Sequence, residues 1–451
     1  MRTYQALCIL FTLVYTKGVL DRLGLPDFWS KLIVEFGVLL VILPILKKSR
    51  WKSAPGWAFV AIFTILTIIS GMLSGDGPYL SLLYFRMTAY AYLVFWAVWN
   101  ADLSGREVWR INRLILMLWL LQIAASAFEL FVLGERVEAH VGTITSGGGG
   151  PATAFPLFAL AYFMAFYFYY KRSWKVVLLG LAFGIVAYAS GKRAIFFYMP
   201  AIYALAIVWY CVREKSFSGF GRMIVPAVVF ILILPLFIFG LTTSKRFTYL
   251  QGAGIVETVV VAFEVAKEYE TRVGQGWVTF GRSATSMMVF QNITSGPFDK
   301  YFTGHGPASL MMHGEKRAGE SEGIAYGIVG WARDTLSIGW PAMIAHVAFY
   351  IFLWRKLYRR RDVIKNSYFN ALHFGAHLGF AVYFLLYFTH LDAFAMAGWL
   401  TFVQVYVVAL LLSPKHKCLL QAETFRKKVV RRNPVATVAG HLRPELSREA
   451  R

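Results

Sequence analysis

Long apolar blocks alternate with short polar connections along most of the chain. Each block comes close to the twenty or so residues that a helix needs to cross roughly 30 Å of hydrocarbon. VEFGVLLVILPIL, INRLILMLWLLQIAASAFELFVL and MIVPAVVFILILPLFIFG are the clearest of them. They lack both the strict alternation of a half-buried strand and the narrow apolar stripe of a water-facing helix. Inside lipid such segments satisfy their backbone groups only as helices. The pattern predicts an all-α polytopic membrane protein with about twelve transmembrane helices, at 4–20, 31–47, 56–73, 79–99, 111–133, 153–170, 174–190, 194–212, 223–241, 335–354, 368–388 and 392–412. The first block, YQALCILFTLVYTKGVL, has the length of a secretory leader, but no Ala-x-Ala-like cleavage site follows, so it counts as a helix.

Composition agrees with this pattern. Of 451 residues, 58% are hydrophobic, 17% aromatic and only 16% charged, which excludes an ordinary soluble multidomain protein. The formal charge of +22 would suggest nucleic acid if it were concentrated, but most of it punctuates the apolar blocks, and no nucleic-acid partner is expected. KKSRWK, REVWRINR, KRSWK, REKSFSGFGR and KLYRRRDVIK fall on alternate connections. Lys and Arg near helix ends stay on the cytoplasmic side, so these runs place the N-terminus inside. The basic tail at 413–451 then also lies inside, attracted to anionic headgroups. The opposite side receives one long segment, 242–334, with nine Lys/Arg and nine Asp/Glu. Its length suits a small cap or functional loop, and within it 252–270 has the alternative of an interfacial helix. The expected organisation is therefore a nine-helix bundle at 1–241, a periplasmic loop or cap at 242–334, three further helices at 335–412 and the tail.

Familiar catalytic signatures are missing. Cys8, Cys211 and Cys418 make neither a CxxC pair nor a metal quartet, no HExxH is present, and SGGGGP lacks the Lys-Ser/Thr of a P-loop. No metal or cofactor is expected. The outer side carries three charged constellations, each with two readings. Lys192 and Arg193 in SGKRA either snorkel to ordinary headgroups or form an anion site at the mouth of the bundle. In RVGQGWVTFGRSATSMM, Arg272 and Arg282 bracket glycines, Trp277 and Phe280, as a plain surface loop or as a grip on an anionic glycolipid. Further on, His305 between Gly304 and Gly306 can sit exposed on a tight turn as a proton acceptor, or serve structure. Glu320, Glu322 and Asp334 are the other candidate bases, and Lys316, Arg317 and Arg333 the candidate phosphate contacts. Within spans, Arg86 and Glu129 either line an interior path or pair and snorkel. His390 and Asp392 in THLDAF either cap a helix hairpin or touch substrate.

SGKRAIFF, TFGRSATSMMVF, YFTGHGPASL and ARDTLSIGWPAMIAHVAFYIFLW, with the late outer loop, give the chain its resemblance to the O-antigen polymerase and O-antigen ligase superfamily. The motifs cover about 190–355 and the topology covers the whole chain. Arg193 with Ala194 looks like the family's Ser-x-x-Arg-Gly/Ala element, Arg282 like its second arginine, and Gly304 and Gly306 like the turn that follows. The resemblance implies a multi-pass protein of the bacterial inner membrane with both termini cytoplasmic. Its implied activity is a metal-independent glycosyltransferase that polymerises undecaprenyl-diphosphate-linked repeats at the outer leaflet. Arg193 and Arg282 would contact the diphosphate, and Asp334, His305 and Glu322, in that order, would be tested as the acceptor's base. Lys192, Arg272, Trp277, Lys316, Arg317 and Arg333 would bind substrate. Lipid-linked donor and acceptor glycans and membrane lipids are the implied partners, with a polysaccharide chain-length regulator as a candidate. The chain departs from the ligases in carrying Arg333-Asp334 where they place His-Asn, which puts the polymerase ahead of two alternatives, an outer-leaflet ligase and a polysaccharide-lipid transporter or flippase.

Overall fold

The structure is a computed structural model that describes residues 1–47, 51–132, 142–144, 149–171, 173–189, 195–215, 271–274, 277–280, 298–307, 329–389 and 398–421, with scattered positions between 221 and 291. Eight helices open the chain: α1 (Thr3–Arg22), α2 (Asp27–Leu46), α3 (Trp57–Leu73), α4 (Gly77–Asn100), α5 (Gly105–Phe131), α6 (Gly149–Tyr169), α7 (Trp174–Ala189) and α8 (Ile195–Glu214). A short hairpin follows, β1 (Thr271–Gly274) paired antiparallel with β2 (Trp277–Phe280). The later helices are α9 (Phe298–Thr303), α10 (Gly330–Ile338), α11 (Trp340–Tyr358), α12 (Ser367–Thr389), α13 (Gly398–Leu412) and α14 (Lys417–Gln421). Apart from the hairpin the described regular structure is helical. Four of its helices are long and apolar enough to cross a membrane, or six if two bent pairs count as one span each.

The bundle centres on α6, α12 and α13. Glycines on α12 let the helices approach closely: Gly375 faces the Tyr162 ring, and Gly379 faces Phe158 and Gln404. Small residues that admit a neighbour in this way are the usual means of packing helices in lipid. Polar bonds tie the same three helices, with Tyr162 donating to Gln404 Oε1 at 3.0 Å and Gln404 Nε2 donating to the Ala376 carbonyl at 2.7 Å. Toward the periphery the outward faces stay apolar. Phe36, Leu39 and Leu43 on α2 and Ile62, Ile65 and Ile69 on α3 are all exposed. A helix that is apolar on its outer face as well as its inner one suits a lipid solvent.

The bundle has two chemically distinct ends. At one end cations cap helix C-termini: Lys415 donates to the Asn100 carbonyl at 2.7 Å and Arg360 to the Leu412 carbonyl at 3.0 Å. These cations meet the negative end of the helix dipole. Ser104 begins α5 there with a reciprocal capping box, accepting from the Glu107 amide while Glu107 accepts from the Ser104 amide. This basic end also carries Lys52, Lys171, Arg355, Lys356 and Arg359. At the other end a small second core of Val289, Tyr301, Val329, Ala332 and Leu336 packs α9 and α10 onto the bundle.

Three expectations change. The span at 335–354 is two helices, because Gly339, at φ 84°, breaks the run between α10 and α11. The expected boundary at 334/335 therefore falls inside α10. RVGQGWVTF, read as a glycine-rich loop, supplies both strands of the hairpin. The segments 223–241 and 252–270, residues 390–397 and the tail beyond 421 lie outside the described residues or are touched at single positions only.

Candidate functional site

The site assembles on α10. This helix of nine residues lies at the end of the bundle opposite the basic end, and it buries Asp334, Thr335, Leu336, Ser337 and Ile338. Its last carbonyls lack helical donors, and the chain supplies them from two directions. The amides of His305 and Gly306 donate to the Leu336 and Ser337 carbonyls at 2.7 and 2.9 Å, and Ser70 Oγ of α3 donates to the Ser337 carbonyl at 3.2 Å. Glycine is required in this turn. Gly304 and Gly306 have φ of 77° and 104°, and a methyl at Gly306 would run into Asp76 Oδ2 and Ser74 Oγ. The turn that follows α9 is thereby locked both to α10 and to the α3–α4 junction.

Asp334, on that helix, points inward and is 7% exposed. Tyr84 of α4 donates to its Oδ1 and Tyr387 of α12 to its Oδ2, both at 2.7 Å. These are charge-assisted bonds, which are short and strong. His346 of α11 stands beside them. Its Nδ1 lies 3.7 Å from Asp334 Oδ2, within ion-pair range but too far for a hydrogen bond, and its Nε2 is 2.9 Å from the Tyr383 hydroxyl. The imidazole stacks on Tyr387 at 5.7 Å between centroids and meets the edge of Phe63 at 5.1 Å. Tyr350, one turn further along α11, packs on Tyr383 at 4.3 Å. The result is a carboxylate, an imidazole and four tyrosines, brought from α4, α10, α11 and α12 to one place.

Of the residues predicted to carry chemistry, the structure brings together Asp334, Arg333 and His305. Arg333 is the neighbour of Asp334 on α10 and is partly buried. His305 is anchored to the same helix by its backbone, with its ring edge-on to Tyr301 at 6.1 Å. Arg272 and Trp277 fall on paired strands of the hairpin. Lys192, Arg193, Arg282, Lys316, Arg317 and Glu322 lie outside the described residues, as do His390 and Asp392. Arg86 and Glu129 form pairs: Arg86 meets Glu35 of α2 at 2.9 Å, and Glu129 meets Arg22 and accepts from the Gly142 amide at 3.2 Å. His346, Tyr84, Tyr350, Tyr383 and Tyr387 are the members that sequence reading missed. One signal for them was present, since His346, Tyr350 and Trp354 recur at four-residue spacing, as do Tyr383 and Tyr387 and, nearer the basic end, His373 and His377.

A second polar cluster, nearer the basic end, joins α6, α8, α11 and α12. Arg213 of α8 is 7% exposed, approaches His373 Nδ1 at 3.0 Å and donates to Asn370 Oδ1 at 2.9 Å. Its guanidinium carbon lies 4.7 Å from the Tyr169 ring centre, and Trp354 Nε1 donates to His377 Nδ1 at 2.7 Å. A guanidinium held by an amide, an imidazole and an aromatic face pins the end of α8 to the start of α12. Compared with protein-family models and with curated proteins, the chain has no match in either set.

Proposed function

We propose that the chain is a lipid-diphosphate-sugar glycosyltransferase of the polysaccharide polymerase kind. In this reading it is a bacterial inner-membrane protein of twelve spans with its basic end cytoplasmic and the α10 end facing the periplasm. The observation that carries the reading is the buried carboxylate of Asp334, placed beside Arg333 and the His305 turn at the end away from the basic loops. A carboxylate in a membrane bundle is costly and is a functional-site candidate by default. A carboxylate oxygen carries more than one lone pair, so bonding to a tyrosine hydroxyl is compatible with accepting a proton. The donor's anomeric C1–O bond to the diphosphate breaks and a new C1–O bond forms to the acceptor hydroxyl. The acceptor's proton passes to Asp334, and the bonding pair leaves with the lipid diphosphate. Arg193 and Arg282 would stabilise the charge developing on that leaving group, and holding two tethered substrates in register would supply much of the acceleration.

Elongation of a defined lipid-linked repeat, together with donor binding, in Arg193→Ala and Arg282→Ala tests the diphosphate contacts. Each variant should bind donor more weakly and elongate poorly while inserting normally, and normal elongation in both would remove the arginines from the mechanism. The stripe of His346, Tyr350, Tyr383, His377 and His373 along α11 and α12 favours a second reading, proton-linked transport of a polysaccharide lipid without glycosyl transfer. Movement of the lipid-linked repeat across proteoliposomes with no gain in its length would select it.

A further inference from the structure

The basic end carries a feature unrelated to the α10 site, an open cleft of about 550 Å³ between the turn before α3, the end of α4 and the last turns of α11. Its walls are Trp57, Phe59, Trp99 and Phe352, and Lys356 is its one charged lining residue. Gly56 lets the turn lie down on α11. It has φ 91°, and a methyl there would come within 2.9 Å of the Phe349 ring. The Lys356 ammonium lies 5.1 Å from the Phe352 ring centre, and no described carboxylate pairs with it. Lys52, Arg355 and Arg359, all exposed, make the surroundings basic. Away from the cleft, α3 and α11 continue as exposed apolar faces through Ile62 and Ile351, which are 47% and 49% exposed.

We propose that this cleft is a binding site for the headgroup of an anionic phospholipid. The phosphate would meet Lys356 and the acyl chains would run down the apolar faces beside Ile62 and Ile351. Charge complementarity selects an anion, and the aromatic walls select an amphiphile, because a free phosphate gains nothing from Trp57, Phe59 or Phe352. Tryptophan beside lysine at the edge of an apolar belt is the arrangement that grips the headgroup layer. The proposal stands whether or not the opposite end transfers sugars.

Native mass spectrometry of the full chain in mixed micelles with phosphatidylglycerol or phosphatidylcholine tests it. The wild type should retain phosphatidylglycerol selectively. Lys356→Ala should weaken that retention about fivefold, the effect of one lysine facing anionic lipid, and Lys356→Arg should restore it. Lys171→Ala, at an exposed cation of the same end, should leave retention unchanged. Equal retention of phosphatidylcholine by the wild type, unchanged retention in Lys356→Ala, or displacement of the lipid by equimolar inorganic phosphate would each overturn the assignment.

Discussion

In the proposed reaction Asp334 meets two demands on one residue, a buried carboxylate that needs partners and a base that needs a lone pair. Its partners set a testable separation. Tyr84→Phe and Tyr387→Phe each delete one bond to an ionised oxygen, and each should lower unfolding stability in detergent by about 1.5–3 kcal/mol. Asp334→Asn keeps the shape of the side chain and a carbonyl acceptor, so it should unfold closer to the wild type than either phenylalanine variant while losing glycosyl transfer. Thermal unfolding and elongation measured on the same preparations would separate the two effects. The reverse order, with Asp334→Asn unstable and active, would reduce Asp334 to a packing residue. The charge was legible in the sequence because Arg333-Asp334 stands at the start of the ARDTLSIGWP motif. Its partners were not, since Tyr84 is 250 residues away and Tyr387 is 53 residues away. A lone histidine in AMIAHVAFY also reads as an ordinary member of an apolar helix. The signal that pointed to a polar stripe was the four-residue spacing of His346, Tyr350 and Trp354, repeated in Tyr383 and Tyr387 and in His373 and His377.

Among the elements, α10 and the turn that follows α9 position the site, and glycine geometry holds them together. Gly306→Ala adds a methyl at φ 104° against Asp76 and Ser74, whereas Gly24→Ala meets open space at φ 84°. The second substitution should cost only the left-handed backbone strain, about 1–2 kcal/mol, and the first should cost clearly more and also reduce activity. Equal melting temperatures for the two variants would mean that the turn is not packed as described. Glu129 makes a different join, between α1, α5 and the 142–144 segment. Glu129→Ala strands Arg22 and the Gly142 amide, so it should destabilise the fold by about 3 kcal/mol, as breaking a buried pair does, without altering the site. The first eight helices were legible to within a few residues at most ends, because their apolar runs are bounded by charged or glycine-rich connections. The division into α10 and α11 was not, because Leu336, Ile338 and Trp340 continue the apolar pattern across Gly339 and only backbone geometry exposes the break.

At the scale of the whole molecule, the described charges separate into a basic end, where Lys415 and Arg360 cap helices and Lys356 lines the cleft, and an opposite end where Asp334 and Glu129 are buried and partnered. Single-cysteine labelling of intact spheroplasts checks the orientation this implies. In a Cys8→Ala, Cys211→Ala background, an impermeant maleimide should modify Leu23→Cys, in the exposed turn after α1, when Cys418 has been replaced. It should leave native Cys418, beyond α13, unmodified until the membrane is opened. The inverse pattern would place the α10 site on the cytoplasmic side, away from lipid-linked glycans of the outer leaflet. The basic end was legible from the alternation of lysine and arginine, and the candidate site less so, because residues from four distant helices build it. The most direct measurement is the product ladder made by the purified protein from a defined undecaprenyl-diphosphate-linked repeat without nucleotide sugars. The proposed glycosyl transfer predicts a ladder from the wild type and a fall of about 10²–10⁴-fold in Asp334→Asn, the range of general base catalysis. A wild type that leaves the repeat unextended, or an Asp334→Asn ladder as long and as fast as the wild type's, would contradict it.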